Sequence, residues 1–81
     1  MTILRTHLWF VGGSSDKVYI VTLLLTNGVY TVAAQWGRRG KSLQQQVKGN
    51  FTSEWQARRE FHSLVASKTV KGYQITEAVA T

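Results

Sequence analysis

Residues 35–41, "QWGRRGK", bring one tryptophan, two glycines and three cations into seven positions. Arginine and lysine are the side chains that grip phosphate: the planar guanidinium fork matches two oxygens, and the ammonium acts as a compact charge. An indole beside them adds a stacking surface for a sugar or base, worth about 1–3 kcal/mol. Gly37 and Gly40 have two readings. They let backbone N–H groups approach an anion closely, or they serve only as turn residues. Trp36 is open in the same way, as a core ring at the rim of a sheet or as an exposed stacking surface, and one indole can do both. Three cations in four positions, Arg38, Arg39 and Lys41, favour phosphate binding as a cluster.

The rest of the chain narrows the chemistry. It has no cysteine, and His7 and His62 with few carboxylates make a poor metal set, so no metal or other cofactor is expected. No phosphate-binding nucleotide loop and no nucleophile triad is present. Cleavage of RNA by His7 and His62 would require both imidazoles a few ångströms from one phosphate. His7 is expected on a strand and His62 on a helix face turned from the core, so the pair should not converge and no enzyme is expected. Ten Lys/Arg against four Asp/Glu leave a formal net charge of +6. Such an excess attracts polyanions, nucleic acid first and an anionic membrane or acidic protein second. The uncharged stretch 18–35 has the length of a membrane span, but Thr22, Thr26, Asn27, Gly28, Thr31 and Gln35 interrupt it, and it reads as two strands and a turn. Arg5 and His7 break the N-terminal apolar run, so no signal peptide is expected and a cytoplasmic location is.

The elements that would position these residues follow from local pattern. Eighty-one residues suggest one domain, 1–81, with an apolar core as its sole source of stability. Trp9, Phe10, Val18–Val21, Leu23–Leu25, Val32, Phe51, Phe61, Leu64 and Val65 are the candidates for that core. Asn27-Gly28 is the preferred pair for a two-residue hairpin turn, between β-rich runs Lys17–Thr26 and Val29–Trp36. That turn sets Thr26 opposite Val29, Leu25 opposite Tyr30, Leu23 opposite Val32, Val21 opposite Ala34 and Tyr19 opposite Trp36. The last four pairs share one face, the better candidate for the core, and leave Ile20 and Leu24 exposed on the other. Lys17 then lies opposite Arg38 and extends the basic cluster.

"HLWFV" is expected to form a further strand ended by "GGSSD". "SLQQQVKGNF" should be another, with Leu43, Val47 and Phe51 on one side and Gln44, Gln46 and Lys48 on the other, and Gly49-Asn50 marks a bulge or bend. A helix over 53–68 is predicted from the Ser53/Gln56 capping box, from Glu54 in the first turn and from the stripe Ala57, Phe61, Leu64, Val65 and the stem of Lys68. Glu54 and Arg58, four apart, should pair, and Lys48, Arg58, Arg59 and Lys71 add a general basic field. Gly72 stops the helix and "YQITEAV" returns as an edge strand. The expected fold is α+β, a twisted antiparallel sheet with one helix packed on its apolar face.

Nearly the whole chain, through "DKVYIVTLL", "NGVYTVAAQWGRRGK", "FTSEWQARREFHSLVASK" and "KGY", resembles a WGR domain, a family named after the tripeptide that stands here as Trp36-Gly37-Arg38. Lys17, Tyr19, Gly40, Ala57, Phe61, Lys68 and Gly72-Tyr73 belong to the same resemblance. It implies nucleic-acid binding. WGR domains occur in DNA-dependent poly(ADP-ribose) polymerases, where they contact DNA near a strand break, and in bacterial proteins little larger than the domain. By that resemblance Trp36 would lie against the sugar and base at a DNA end, with Arg38 and nearby cations on the backbone. Where the family commonly has a basic residue before the tryptophan and an apolar one after the arginine, this chain has Gln35 and Arg39.

The resulting expectation is a module that binds nucleic acid, DNA above all, through backbone and strand ends without reading sequence. Its site would be Trp36, Gly37, Arg38, Arg39, Gly40, Lys41, Lys17 and Lys48. In a bacterial cell it would be nucleoid-associated. The alternative is a protein-interaction domain that offers the same basic face to an acidic partner, and oligomeric state is open in both cases.

Overall fold

The computed structural model describes residues 1–80. Its central feature is the hairpin formed by β2 (Ser15–Thr26) and β3 (Val29–Arg38). Asn27 and Gly28 both take positive φ, 50° and 78°, as a type I′ turn demands. Register follows from that turn, and every pair expected from Thr26–Val29 through Tyr19–Trp36 to Lys17–Arg38 is present. β1 (Thr2–Gly12) pairs with the free edge of β2, and β4 (Gln44–Phe51) with the free edge of β3. α1 (Glu54–Val70) follows, and β5 (Gln74–Ala80) returns to lie beside β1. The result is an open antiparallel sheet in the order β4-β3-β2-β1-β5 with one helix, an α+β fold. Among the described residues no helix is long and apolar enough to cross a membrane.

The core lies between the sheet and α1. Tyr19, Val21, Leu23, Val32 and Ala34 are buried there as the alternation requires, and Ala57 and Phe61 of the helix complete it. Leu8 of β1, opposite Tyr19, and Ile3, at an irregularity of the β1–β2 ladder, are also buried. A buried side chain of this size contributes about 1.5–3 kcal/mol, so this one layer supplies the apolar core that a chain without disulfides requires. Ser53 caps α1 by accepting from the backbone N–H of Gln56, and Arg58 donates to Glu54 at 2.7 Å one turn on. At the other end Gly72, at φ 103°, reverses the chain, and the N–H of Tyr73 closes back on the carbonyl of Lys68 at 3.1 Å.

Three local expectations change. Ile20 is buried on the face away from the helix, whereas Leu24 is half-buried. Trp9 belongs to that second face and is not a core residue, because β1 alternates Leu8 inward and its neighbours outward. In β4 an extra residue stands between the pairs Ala33–Val47 and Val32–Gly49. This bulge, at Lys48, separates Val47, on the uncovered face, from Phe51, which faces Tyr30 on the helix side.

Candidate functional site

Four events of local folding converge at one end of the helix-covered face. The Asn-Gly turn sets Tyr19 and Trp36 opposite one another, and their rings stack at 6.1 Å and 22°. The β4 bulge turns Lys48 toward that pair, its Nζ 5.3 Å from the Trp36 ring centre. Lys68, on the buried stripe of α1 and in its last turn, places Nζ 4.4 Å from the ring centre of Tyr19. The reversal at Gly72 then brings Tyr73 edge-on to Tyr19, 6.3 Å away, and 5.9 Å from the same ammonium. With Lys17 and Gly37 these residues line a hollow of about 190 Å³. Gly37 has a conformational reason to be glycine: at φ 153° a side chain is strained, and its Cβ would stand 3.2 Å from Leu43.

The hollow is positive throughout. Lys17, Lys48 and Lys68 line it and no carboxylate does. Among the described residues none of the three makes an ion pair; Lys48 donates to Gln46 Oε1 at 2.8 Å. Instead the ammoniums rest on rings, Lys17 on Phe10 at 5.4 Å, Lys48 on Trp36 and Lys68 on Tyr19. Such contacts are worth about 0.5–2 kcal/mol and hold a cation ready for an anion without neutralising it. Burial pushes the Lys68 amine below the ordinary lysine value, and the charges of Lys71, Lys48 and Lys17 push it further the same way. The Tyr19 face opposes that shift by favouring the ammonium. Like-charge crowding of this kind is relieved by an anion, so the arrangement suits a phosphate between aromatic walls. Burial also raises the Tyr19 hydroxyl above the usual tyrosine range, so the ring stays neutral.

Of the residues named from sequence, Lys17, Trp36, Gly37 and Lys48 share this hollow, and Arg38, Arg39, Gly40 and Lys41 do not line it. Arg38 is exposed at the end of β3, opposite Lys17. Gly40, at φ 83°, and Lys41, whose N–H donates to the Arg38 carbonyl at 3.1 Å, form an exposed turn. Arg39 is committed within the protein. Its guanidinium donates to both oxygens of Asp16 at 3.1 and 3.3 Å and lies 4.4 Å over the Trp9 ring. Trp9 Nε1 donates to the same carboxylate at 2.6 Å, and the Arg39 N–H donates to the Asp16 carbonyl. The Trp9 bond and then Arg39 hold the Asp16 carboxyl below its usual range. This clamp ties the loop after β3 to Trp9 of β1 and Asp16 of β2.

Lys68 and Tyr73 complete the hollow, whereas the sequence places Lys68 at the end of the helix stripe and Tyr73 at the start of the edge strand, both among the residues of the family resemblance but neither in the expected site. For Lys68 a further signal is the pairing of a cation with an otherwise apolar stripe. His7 is in β1 and 3.7 Å from Glu77 of β5, whereas His62 packs edge-on to Phe61 on the helix. The sheet separates the two imidazoles.

An open five-stranded sheet with one covering helix and a lysine-lined aromatic hollow defines a small α+β binding domain. Residues 5–79 match the WGR domain family, and the chain belongs to it. That family is associated with nucleic-acid binding in proteins of the poly(ADP-ribose) polymerase type. No curated protein and no solved structure gives a significant match.

Proposed function

We propose that residues 1–81 act as one module that binds nucleic acid, DNA in the first place, through its phosphate backbone and strand ends. The observation that carries this is the convergence of Lys17, Lys48 and Lys68 on the Tyr19–Trp36–Tyr73 wall with no carboxylate among them. Phosphate takes the ammoniums, and a sugar or terminal base takes the rim of Trp36. Gly37 keeps the strand backbone low beside them. Arg38 and Lys41, exposed on the neighbouring turn, extend the positive surface along a strand. Arg39 and Gly40 shape that turn. Sequence reading has no support, because the one helix spends its apolar stripe on the sheet. The role belongs in the cytoplasm, at the nucleoid of a bacterial cell.

Fluorescence anisotropy with blunt, nicked, closed-circular and single-stranded DNA at two salt concentrations tests this. Broken duplex is expected to bind more tightly than closed duplex, with affinity falling steeply as salt rises. Equal affinity for closed and broken DNA refutes the preference for ends. Absence of binding to any of these DNAs refutes the nucleic-acid role and returns the basic face to an acidic protein partner.

A further inference from the structure

Lys68 differs from the other cations of the hollow in its setting. Its stem is part of the helix stripe that packs on the sheet, so the amine is held at the floor of the hollow and is half-buried. Among the described residues no hydrogen-bond or ion-pair partner holds it; its contacts are the rings of Tyr19 and Tyr73. Lys17 and Lys48 stand around it, and Lys71 is near enough for its charge to be felt. Partial burial and neighbouring cations are the two settings that turn a lysine from a charge into a nucleophile, because both favour the neutral amine, and Lys68 has both. The surrounding rings and ammoniums suit a sugar flanked by phosphate.

An amine placed against a sugar has one electrophile within its reach in a nucleic acid. A deoxyribose that has lost its base opens to an aldehyde at C1′, and loss of the base removes the bulk that would keep the sugar out of a narrow hollow. We propose that Lys68 captures such a base-less sugar by forming a reversible covalent imine with its C1′ aldehyde; this rests on the nucleic-acid role above.

The step balances without any outside reagent. The lone pair of the neutral Nζ adds to C1′, a C–N bond forms as the C=O π bond breaks, and a proton passes from the nitrogen to the oxygen to give a carbinolamine. The ammonium of Lys17 or Lys48 gives a proton to that hydroxyl, the C–O bond breaks, and water leaves. The nitrogen lone pair closes the C=N bond, and the donor recovers its proton from solvent. Amine, aldehyde and one proton become a protonated imine and water. Among the described residues no carboxylate lines the hollow to speed removal of the C2′ proton, so capture is favoured over strand cleavage.

The test uses the full chain and an oligonucleotide duplex with one base-less site, made by enzymatic removal of uracil, placed at a strand end or internally. Borohydride reduces an imine to a stable amine, which a denaturing gel resolves as a protein–DNA adduct and peptide mass spectrometry assigns to a residue. Lys68→Arg keeps the charge and cannot form an imine. Compared at equal occupancy, set by anisotropy, it should lower the adduct at least about tenfold, and the wild-type adduct should map to Lys68. Circular dichroism checks that the variant is folded. An adduct undiminished in Lys68→Arg, or mapped to Met1 or another lysine, overturns the proposal. So does DNA binding with no adduct, in which case the nucleic-acid role stands. Loss of binding to every oligonucleotide overturns both.

Discussion

Exchanging Lys48 and exchanging Arg39 should have opposite consequences, although both are exposed cations within ten positions of each other. Lys48 has no carboxylate and faces the hollow. Arg39 is held by both oxygens of Asp16 and by the face of Trp9. Each phosphate that a protein neutralises adds about 0.9 to the slope of log affinity against log salt on duplex DNA. Lys48→Gln should therefore flatten the slope by about 0.9, so that between about 50 and 200 mM salt the variant loses about 3.5-fold less affinity than the wild type does. Replacing Lys17, Lys48 and Lys68 together should remove about 2.7 from the slope, roughly a 40-fold difference over the same range. The control is Asp16→Asn with Arg39→Gln. One charge of each sign is lost, the net charge is unchanged, and the slope should stay as it is while the thermal midpoint falls. Anisotropy titrations of one blunt duplex at four or more salt concentrations measure all of these slopes. A slope lowered as much by the Asp16/Arg39 exchange as by Lys48→Gln would refute the placement of phosphate in the hollow and return it to the basic turn.

Other consequences are open to similar measurement. Because the folded-state amine of Lys68 lies below the ordinary lysine value of 10.5, the unfolded chain holds more protons between the two values, and this group's contribution to stability rises with pH there. Anion binding has the opposite sign, since it requires the proton back: affinity should fall as pH rises through the folded value, and anisotropy at fixed ionic strength should find that fall flattened in Lys68→Arg. Asp16, lowered from 3.8 by Trp9 and Arg39, stabilises the fold above 3.8 and loses that contribution as pH falls through its folded value. The thermal midpoint of Asp16→Asn should therefore be less sensitive to acid than the wild type's. Trp36→Leu should weaken binding to a blunt end by about 1–3 kcal/mol through lost stacking. It should also cost stability through the lost Tyr19 contact, separable by thermal melting. Gly37→Ala must take a positive φ and crowd Leu43, at about 1–3 kcal/mol. A chain of this size shifts its melting point by about 4–8 °C per kcal/mol.

The hairpin and the helix were legible in the chain because their signals are local. A two-residue Asn-Gly loop leaves no freedom in register, so Tyr19 and Trp36 could be paired from sequence alone, and with them the helix-covered face. Ser53, the stripe from Ala57 to Lys68 and the stop at Gly72 delimit α1 by capping and periodicity in the same way. The β4 bulge was legible in kind, from Gly49-Asn50, but not in position. Moving it to Lys48 exchanges which side chains share a face, since the period of a strand is two.

The choice among cations lay outside the chain's local pattern. Arg38, Arg39 and Lys41 are neighbours in sequence, and proximity made them the natural phosphate site. Yet a charge is available to a ligand only if the fold leaves it unpaired. Asp16, more than twenty residues earlier, is brought onto Arg39 by the pairing of β2 with β3, and no local pattern announces that contact. Lys68 and Tyr73 meet Trp36 only because the helix crosses the sheet and reverses at Gly72. Sequence alone thus determined the elements, because periodicity and turn chemistry are properties of the chain, and it carried the motif residues that place the chain in its family. Tertiary structure decided which lysines line a common hollow and which arginine is withdrawn, because Coulomb interactions depend on distance in space and not on separation along the backbone.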